Sequence, residues 1–270
     1  MKTKMFWSVL VLAVFLIFSG QGAALSETLT IAGTGDSQIL LRALAEKFEA
    51  EYPQVDVMVP DSVGSGGGIK AMMQGRSNLA RVARGLTPEE SSHELHYTLF
   101  AQSPVVFVVH PSVTGVENIS YAQIVSIYSG QINNWQQLGG QDKKIYVVNR
   151  EPGDSSRTIL DQGIPGFKYI EPFVGKVFYS TPEAMEALVK YPDTIGYLPL
   201  AMVTGTKLRV LSIAHVEPTP QAVVTGAYPL SVPLALVSKK VRTDSEQKFL
   251  DFLPTTAAQE IIAEFAVGVP

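Results

Sequence analysis

Three short stretches hold the residue types that could seize a small charged ligand: Gly33-Thr34-Gly35-Asp36-Ser37, Gly64-Ser65-Gly66-Gly67-Gly68 and Gly153-Asp154-Ser155-Ser156. Glycine lets a backbone approach a ligand closely, and serine and threonine hydroxyls can donate to its oxygens. Each stretch follows an apolar, β-branched segment and precedes a helical one. A helix start presents unpaired N–H groups and a partial positive charge, which makes it a seat for an anion. Three such turns meeting in one place would hold a small tetrahedral oxyanion from several sides. Arg150 stands at the entrance to the third turn. Its guanidinium is always charged, and its planar fork matches two oxygens of an oxyanion. For each turn taken singly the plainer reading is an ordinary helix cap, and for Arg150 a salt bridge.

The surrounding elements alternate. Thr28–Ala32 reads as a strand. Gln38–Tyr52, with Leu41, Leu44, Ala45 and Phe48 at helical spacing, reads as a helix that Pro53 stops. Val55–Val59 alternates like a strand, and a short helix runs through Ile69, Met72 and Met73. That order predicts an α/β layer with a parallel sheet. Further on, Thr87-Pro88-Glu89-Glu90 carries a capping box. Pro104–Val109 and Ile145–Val148 read as buried strands. Ser120–Tyr128 and the stretch from Thr181 read as helices, the latter with Glu186 and Lys190 as an i,i+4 pair. Val223–Ser238 is strand-rich, and helices close the chain over Asp244–Leu253 and Thr256–Phe265. In open α/β sheets the crevice beyond the carboxyl ends of the strands is the ligand site.

Composition bounds the chemistry. The 270 residues are 46% hydrophobic and carry a net charge of −4, which argues for a folded chain and against a nucleic-acid binder. Zero cysteines exclude disulfides, thiolate catalysis and cysteine-ligated zinc or iron–sulfur centres. His93 and His96 lack the i,i+4 spacing of a zinc-binding helix, and no nucleotide fingerprint is complete, so no metal and no cofactor are expected. Lys2 and Lys4, the apolar run Met5–Phe18 and the small residues ending at Ala24 read as a signal peptide over residues 1–24. The run is short for a membrane span. A periplasmic, soluble and monomeric protein is expected.

Taken in order, AGTGDS (32–37), VGSGGGIK (63–70), NREPGDSS (149–156), IGYLPL (195–200) and YPLSVPLALV (228–237) resemble the phosphate-binding proteins of bacterial ABC transporters, within the periplasmic substrate-binding superfamily. The resemblance implies two Rossmann-like α/β lobes joined by crossing hinge strands, the type II arrangement, with the anion buried in the cleft between. Lobe one would comprise residues 28–103 and 227–270, and lobe two residues 104–226. It implies delivery of inorganic phosphate to a permease and ATPase in the inner membrane. Ligand contacts carry over to Thr34, Gly35, Asp36, Ser65, Gly66, Arg150, Asp154, Ser155 and Ser156.

Two departures bear on the choice of anion. The family's aspartate after the third strand, which accepts the proton of hydrogen phosphate, is matched by Val82-Ala83-Arg84 with no carboxylate. A carboxylate stands instead at Asp154, where the family has a hydroxyl. An ionised carboxylate only accepts, so it tolerates hydrogen phosphate and repels sulfate. Asp154, or else Asp36, is expected to fill the acceptor role. If neither does, molybdate, tungstate, sulfate or an organic phosphate becomes the ligand. Two other readings stand beside these: a sensor subunit of the same fold, and a serine hydrolase on Gly35-Asp36-Ser37. The latter lacks a base, since His215 has no aspartate three residues before it.

Overall fold

The computed structural model describes residues 26–269; the expected signal peptide lies outside them. Twelve strands and nine α-helices are present among the described residues. The first part of the chain alternates as its pattern predicts: β1 (Glu27–Gly33), α1 (Gln38–Glu51), β2 (Val55–Met58), α2 (Gly64–Met73) and β3 (Leu79–Val82). The two crossovers lay β2 and β3 parallel to β1 on either side. Phe48 of α1 is fully buried. α3 (Pro88–Ser91) is a single turn whose capping box, Thr87 with Glu90, is formed as expected.

β4 (His96–Val109) is longer than the Pro104–Val109 segment legible in the sequence. Its first part is amphipathic rather than uniformly apolar, with His96 and Leu99 exposed. β5 (Asn118–Ile119), α4 (Tyr121–Tyr128), β6 (Tyr146–Arg150), α5 (Ser155–Gly163), β7 (Lys176–Phe178), α6 (Thr181–Lys190) and β8 (Thr194–Pro199) follow. Next come β9 (Arg209–Val210), β10 (Ser212–Ile213) and α7 (Pro220–Val224). The strand-rich reading of Val223–Ser238 is corrected there. Thr219 caps α7 and Pro220 occupies its first turn, so Val223 and Val224 are helical, and the strand starts only at Ser231. β11 (Ser231–Ser238), α8 (Asp244–Phe252), α9 (Thr256–Phe265) and β12 (Val267–Gly268) complete the chain.

The main sheet runs in the order β2-β1-β3-β11-β4-β8-β6-β7. Its two halves are linked through β4. Residues 96–104 of β4 pair antiparallel with β11, while residues 105–109 pair antiparallel with β8. Pro233 is tolerated in β11 because only Ala235–Val237 reach β3 on the far side, so its missing N–H falls where no ladder partner lies. Helices cover both faces of each half, as a largely buried sheet requires. On one face α2 covers β3 and β11 through Ile69 and Met72. On the other, the rings of Phe249 and Phe252 sit 5.0 and 5.5 Å from that of Phe48. In the second half α6 packs Ala184, Ala187 and Leu188 on Val106, Val148 and Leu198. Among the described residues no helix is long and apolar enough to cross a membrane.

The start of α2 is pressed onto the end of β1. A Cβ on Gly68 would lie 2.5 Å from Gly33 Cα and 2.7 Å from Ala32 O, so neither backbone could keep its place. Gly68→Ala is therefore expected to destabilise the protein by about 1–3 kcal/mol. A lowered urea midpoint with an unchanged slope checks this.

Candidate functional site

The first turn is built from beneath by a residue that sequence reasoning did not single out. Arg81 of β3 is fully buried. Its guanidinium donates to Thr34 O (2.6 Å), Pro60 O (2.7 Å), Gln38 Oε1 (3.3 Å) and Ile31 O. Arg81 thus fastens the turn after β1 to the loop before α2, helped by Val63 N donating to Gly33 O at 3.0 Å. Gly33, at φ +150°, must lack a side chain here, because a Cβ would collide with Arg81 O at 2.0 Å. Burial lowers Arg81 to about 10, so it stays charged at neutral pH beneath the turn. An arginine inside the four-residue apolar strand Leu79–Val82 was the available signal.

Most helices here close their starts with a side chain. Thr87, Ser120, Asp154, Ser180, Thr219, Thr243 and Thr255 each accept a backbone N–H in that role. Among the described α-helices, α1 and α2 alone have no side-chain cap. They are the helices that follow the first two glycine turns. Ser37 stands at the N-cap of α1 yet leaves its own helix uncapped, and its buried Oγ has no partner within the protein. Ser65 accepts from Ala83 N at 3.1 Å, which leaves its hydroxyl proton free to donate. Gly66 lies beside Arg84, which pairs with Glu90 at 2.7 Å and holds that carboxyl down at about 2.

The third turn brings Arg150 against the first. Arg150 is 4% exposed and shared among several acceptors. It pairs with Asp154 Oδ2 at 2.8 Å and Glu151 Oε2 at 3.3 Å, and donates to Phe178 O at 3.1 Å and Thr181 Oγ1 at 2.8 Å. Thr181 in turn donates to Asp36 Oδ1 at 2.6 Å. Asp36, Thr181, Arg150 and Asp154 therefore form one buried chain of contacts linking the turn after β1 with the starts of α5 and α6. Gly35 fits beside it only because it lacks a side chain; a Cβ there would lie 2.6 Å from Pro182 Cδ.

Of the residues singled out in the sequence, Thr34, Gly35, Asp36, Arg150 and Asp154 belong to this cluster directly. Ser156 is buried at the start of α5 with its Oγ unpartnered, and Ser155 beside it is partly exposed. Ser65 and Gly66 make no hydrogen bond to the cluster; they stand at the start of α2, whose Gly68 abuts the end of β1. Asp154 is less free than the sequence suggested. Its Oδ1 caps α5 through Arg157 N (2.9 Å), and its Oδ2 is taken by Arg150. Asp36 is the opposite case: fully buried, with Oδ2 unpartnered. Thr181 and Asn149 were missed as site residues. Asn149 accepts from Tyr197 Oη (2.8 Å) and Arg150 N (2.9 Å), leaving its buried Nδ2 unpartnered.

The unpartnered buried side-chain atoms among the described residues are thus Asp36 Oδ2, Ser37 Oγ, Asn149 Nδ2 and Ser156 Oγ. An amide and two hydroxyls can donate, and one carboxylate oxygen can accept. Buried polar groups are ordinarily satisfied, so four left over at the ends of β1 and β6 mark a place built for a ligand. With two uncapped helix starts beside them, the arrangement suits an anion that carries oxygens and one proton.

A model of the PBP superfamily domain matches residues 19–255. The chain belongs to that superfamily. Within it, the chain is 32% identical over 241 residues to the phosphate-binding protein PstS of Bacillus subtilis, covering 88% of this chain and 78% of that protein. A structure from Clostridium perfringens, of a phosphate ABC transporter substrate-binding protein with bound phosphate, superposes with a TM-score of 0.79 at 28% identity. That match covers 90% of this chain and all of the other. An ABC-type phosphate transport receptor from Vibrio cholerae gives 0.64 at 27% identity, over 90% of this chain and all of that one. The family's two-lobe α/β fold is the one described above, its two halves linked through β4. It is a family of substrate-binding proteins rather than of enzymes.

Burial and the neighbouring Asp36 carboxyl push Asp154 up to about 7, against the pull of Arg150 and the Arg157 N–H. Burial likewise raises Asp36, opposed by Thr181 and Arg150. An acid whose pKa rises on folding holds its proton more tightly in the native state. Its stabilising contribution is complete below about pH 4 and lost as pH climbs through 7. Asp36→Asn removes the repelling charge and should lessen that loss, by about 1.4 kcal/mol for each unit that Asp154 falls. Urea midpoints of the two proteins at pH 4.5, 6 and 7.5 check the difference.

Proposed function

We propose that this protein captures inorganic phosphate outside the cytoplasm and delivers it to the permease and ATPase of an ABC importer. One observation carries the choice of ligand: of the unpartnered buried side-chain atoms among the described residues, three can donate and one, when ionised, can only accept. Ser37 Oγ, Asn149 Nδ2 and Ser156 Oγ have no partners within the protein, and neither α1 nor α2 is capped by a side chain. Asp36 Oδ2 is the one among them that, when ionised, can only accept. Hydrogen phosphate offers oxygens to the donors and a proton to Asp36, whereas sulfate has no proton to give. Thr34, Gly35, Ser65, Gly66 and Ser155 would add hydroxyl or backbone contacts, and Asp154 would hold Arg150 in place rather than test the ligand.

The lobes in this reading are residues 28–103 with 227–270, and residues 104–226. Ligand would close them by bending at β4 and β11, a hinge motion about a few strand residues. Export rests on the pattern Lys2, Lys4, Met5–Phe18 and Ala24, and the similarity to phosphate-binding proteins supports the transport role. A net charge of −4 does not oppose anion binding, because converging N–H dipoles and one arginine act at short range in a dry cleft.

Calorimetry on the mature protein against phosphate, sulfate, molybdate and tungstate tests the proposal directly. Phosphate should bind tightest, and preference for another of the four overturns it. Arg150→Ala should cost about 2–4 kcal/mol of phosphate binding. Asp36→Asn should let sulfate compete, while Asp154→Asn should leave sulfate excluded; the reverse pattern would return the acceptor role to Asp154. Sulfate competition against the wild type should also grow as pH falls, since an Asp36 that carries its own proton can donate to sulfate.

A further inference from the structure

Thr181 is buried at the first position of α6, yet its hydroxyl does not serve that helix; Ser180 caps it by accepting from Glu183 N. The Thr181 hydroxyl is committed elsewhere. Its one proton goes to Asp36 Oδ1 at 2.6 Å, so toward Arg150 Nη1, at 2.8 Å, it can only accept. Thr181 and Arg150 lie in the half of the molecule holding β6 to β8, whereas Asp36 lies at the end of β1 in the other half. Pro182, the next residue, fills the space against Gly35 that any side chain there would occupy. With Oδ1 held by Thr181, the oxygen left free on Asp36 is Oδ2.

We infer that Thr181 is an interlobe latch: its hydroxyl fixes Asp36 from the opposite lobe, so the acceptor that tests the anion is set only when the lobes are closed. The inference rests on the oxyanion-binding reading above. An anion that enters the open cleft meets donors from one lobe alone. Closure brings Thr181, held against Arg150 within its own lobe, onto Asp36, and only then does Asp36 present a single oriented oxygen. An ion that cannot share a proton with that oxygen opposes the step that retains it, so rejection takes the form of fast escape rather than failure to enter. Thr181 is a positioning residue, acting through Asp36 and Arg150.

The test compares wild type, Thr181→Val and Thr181→Ser in the mature protein. Phosphate, sulfate and molybdate serve as probes, read by calorimetry, stopped-flow dissociation and small-angle scattering. Valine keeps the shape and leaves the Ser180 cap intact, while serine restores the hydroxyl. Thr181→Val should lose at least about tenfold in affinity, as for a lost hydrogen bond to a charged group. The loss should lie in a faster off-rate, with a larger radius of gyration at saturating phosphate, and Thr181→Ser should recover both. A valine variant that is merely less stable would close normally once saturated, and that outcome overturns the latch. A valine variant that matches wild type in off-rate and scattering does the same while leaving phosphate binding standing. A wild type that closes on none of the three ions removes the oxyanion reading, and the latch with it.

Discussion

One buried guanidinium governs this site. Arg150 faces Asp154 and Glu151 directly and Asp36 through Thr181, so its single positive charge is divided among three carboxyls. A buried ion pair is weak evidence of stability, because desolvation offsets most of its attraction. Its value here is positional. The guanidinium cannot move without leaving carboxylates uncompensated in a dry place, and Asp154 cannot turn away without uncapping α5. The cluster therefore holds the ends of β1 and β6 and the starts of α5 and α6 in one arrangement.

That arrangement explains how an acidic protein can be shaped for an anion. Favourable charge at the site comes less from side chains than from backbone: α1 and α2 keep their first N–H groups free of side-chain caps, while the other described α-helices close theirs. Arg81 adds a full charge below the turn with its hydrogen bonds spent on carbonyls, so it shapes the potential without competing for ligand oxygens.

Much of this could be read from residue order. β1, α1, β2, α2 and their parallel pairing follow from local periodicity and glycine turns, and α9 was legible to its last residue because Thr255 and Thr256 mark its start and an amphipathic pattern its length. The early part of β4 was obscured by its half-exposed alternation, and Pro220 turned an apparently β-rich stretch into α7. At the site, local motifs pointed to Asp36, Ser65, Arg150, Asp154 and Ser156. Thr181 was visible only as a helix start, since the carboxylate it holds sits 145 residues away in the chain. Asn149 and Arg81 were hidden for the same reason: their partners are set by strand register, which no short motif encodes. The proposed preference for Asp36 over Asp154 likewise rests on which oxygens already have partners.

The sheet order has a consequence for how the polypeptide acquires its shape. Ala80–Val82 of β3 must wait for Ala235–Val237 of β11, so the half containing β1 stays an unfinished sheet with an open edge until nearly the whole chain has been made. The half containing β6 to β8 is contiguous and carries no such delay. Long-range pairing of this kind slows folding. For a chain exported as proposed above, that delay would hold it in a translocatable form until β11 arrives.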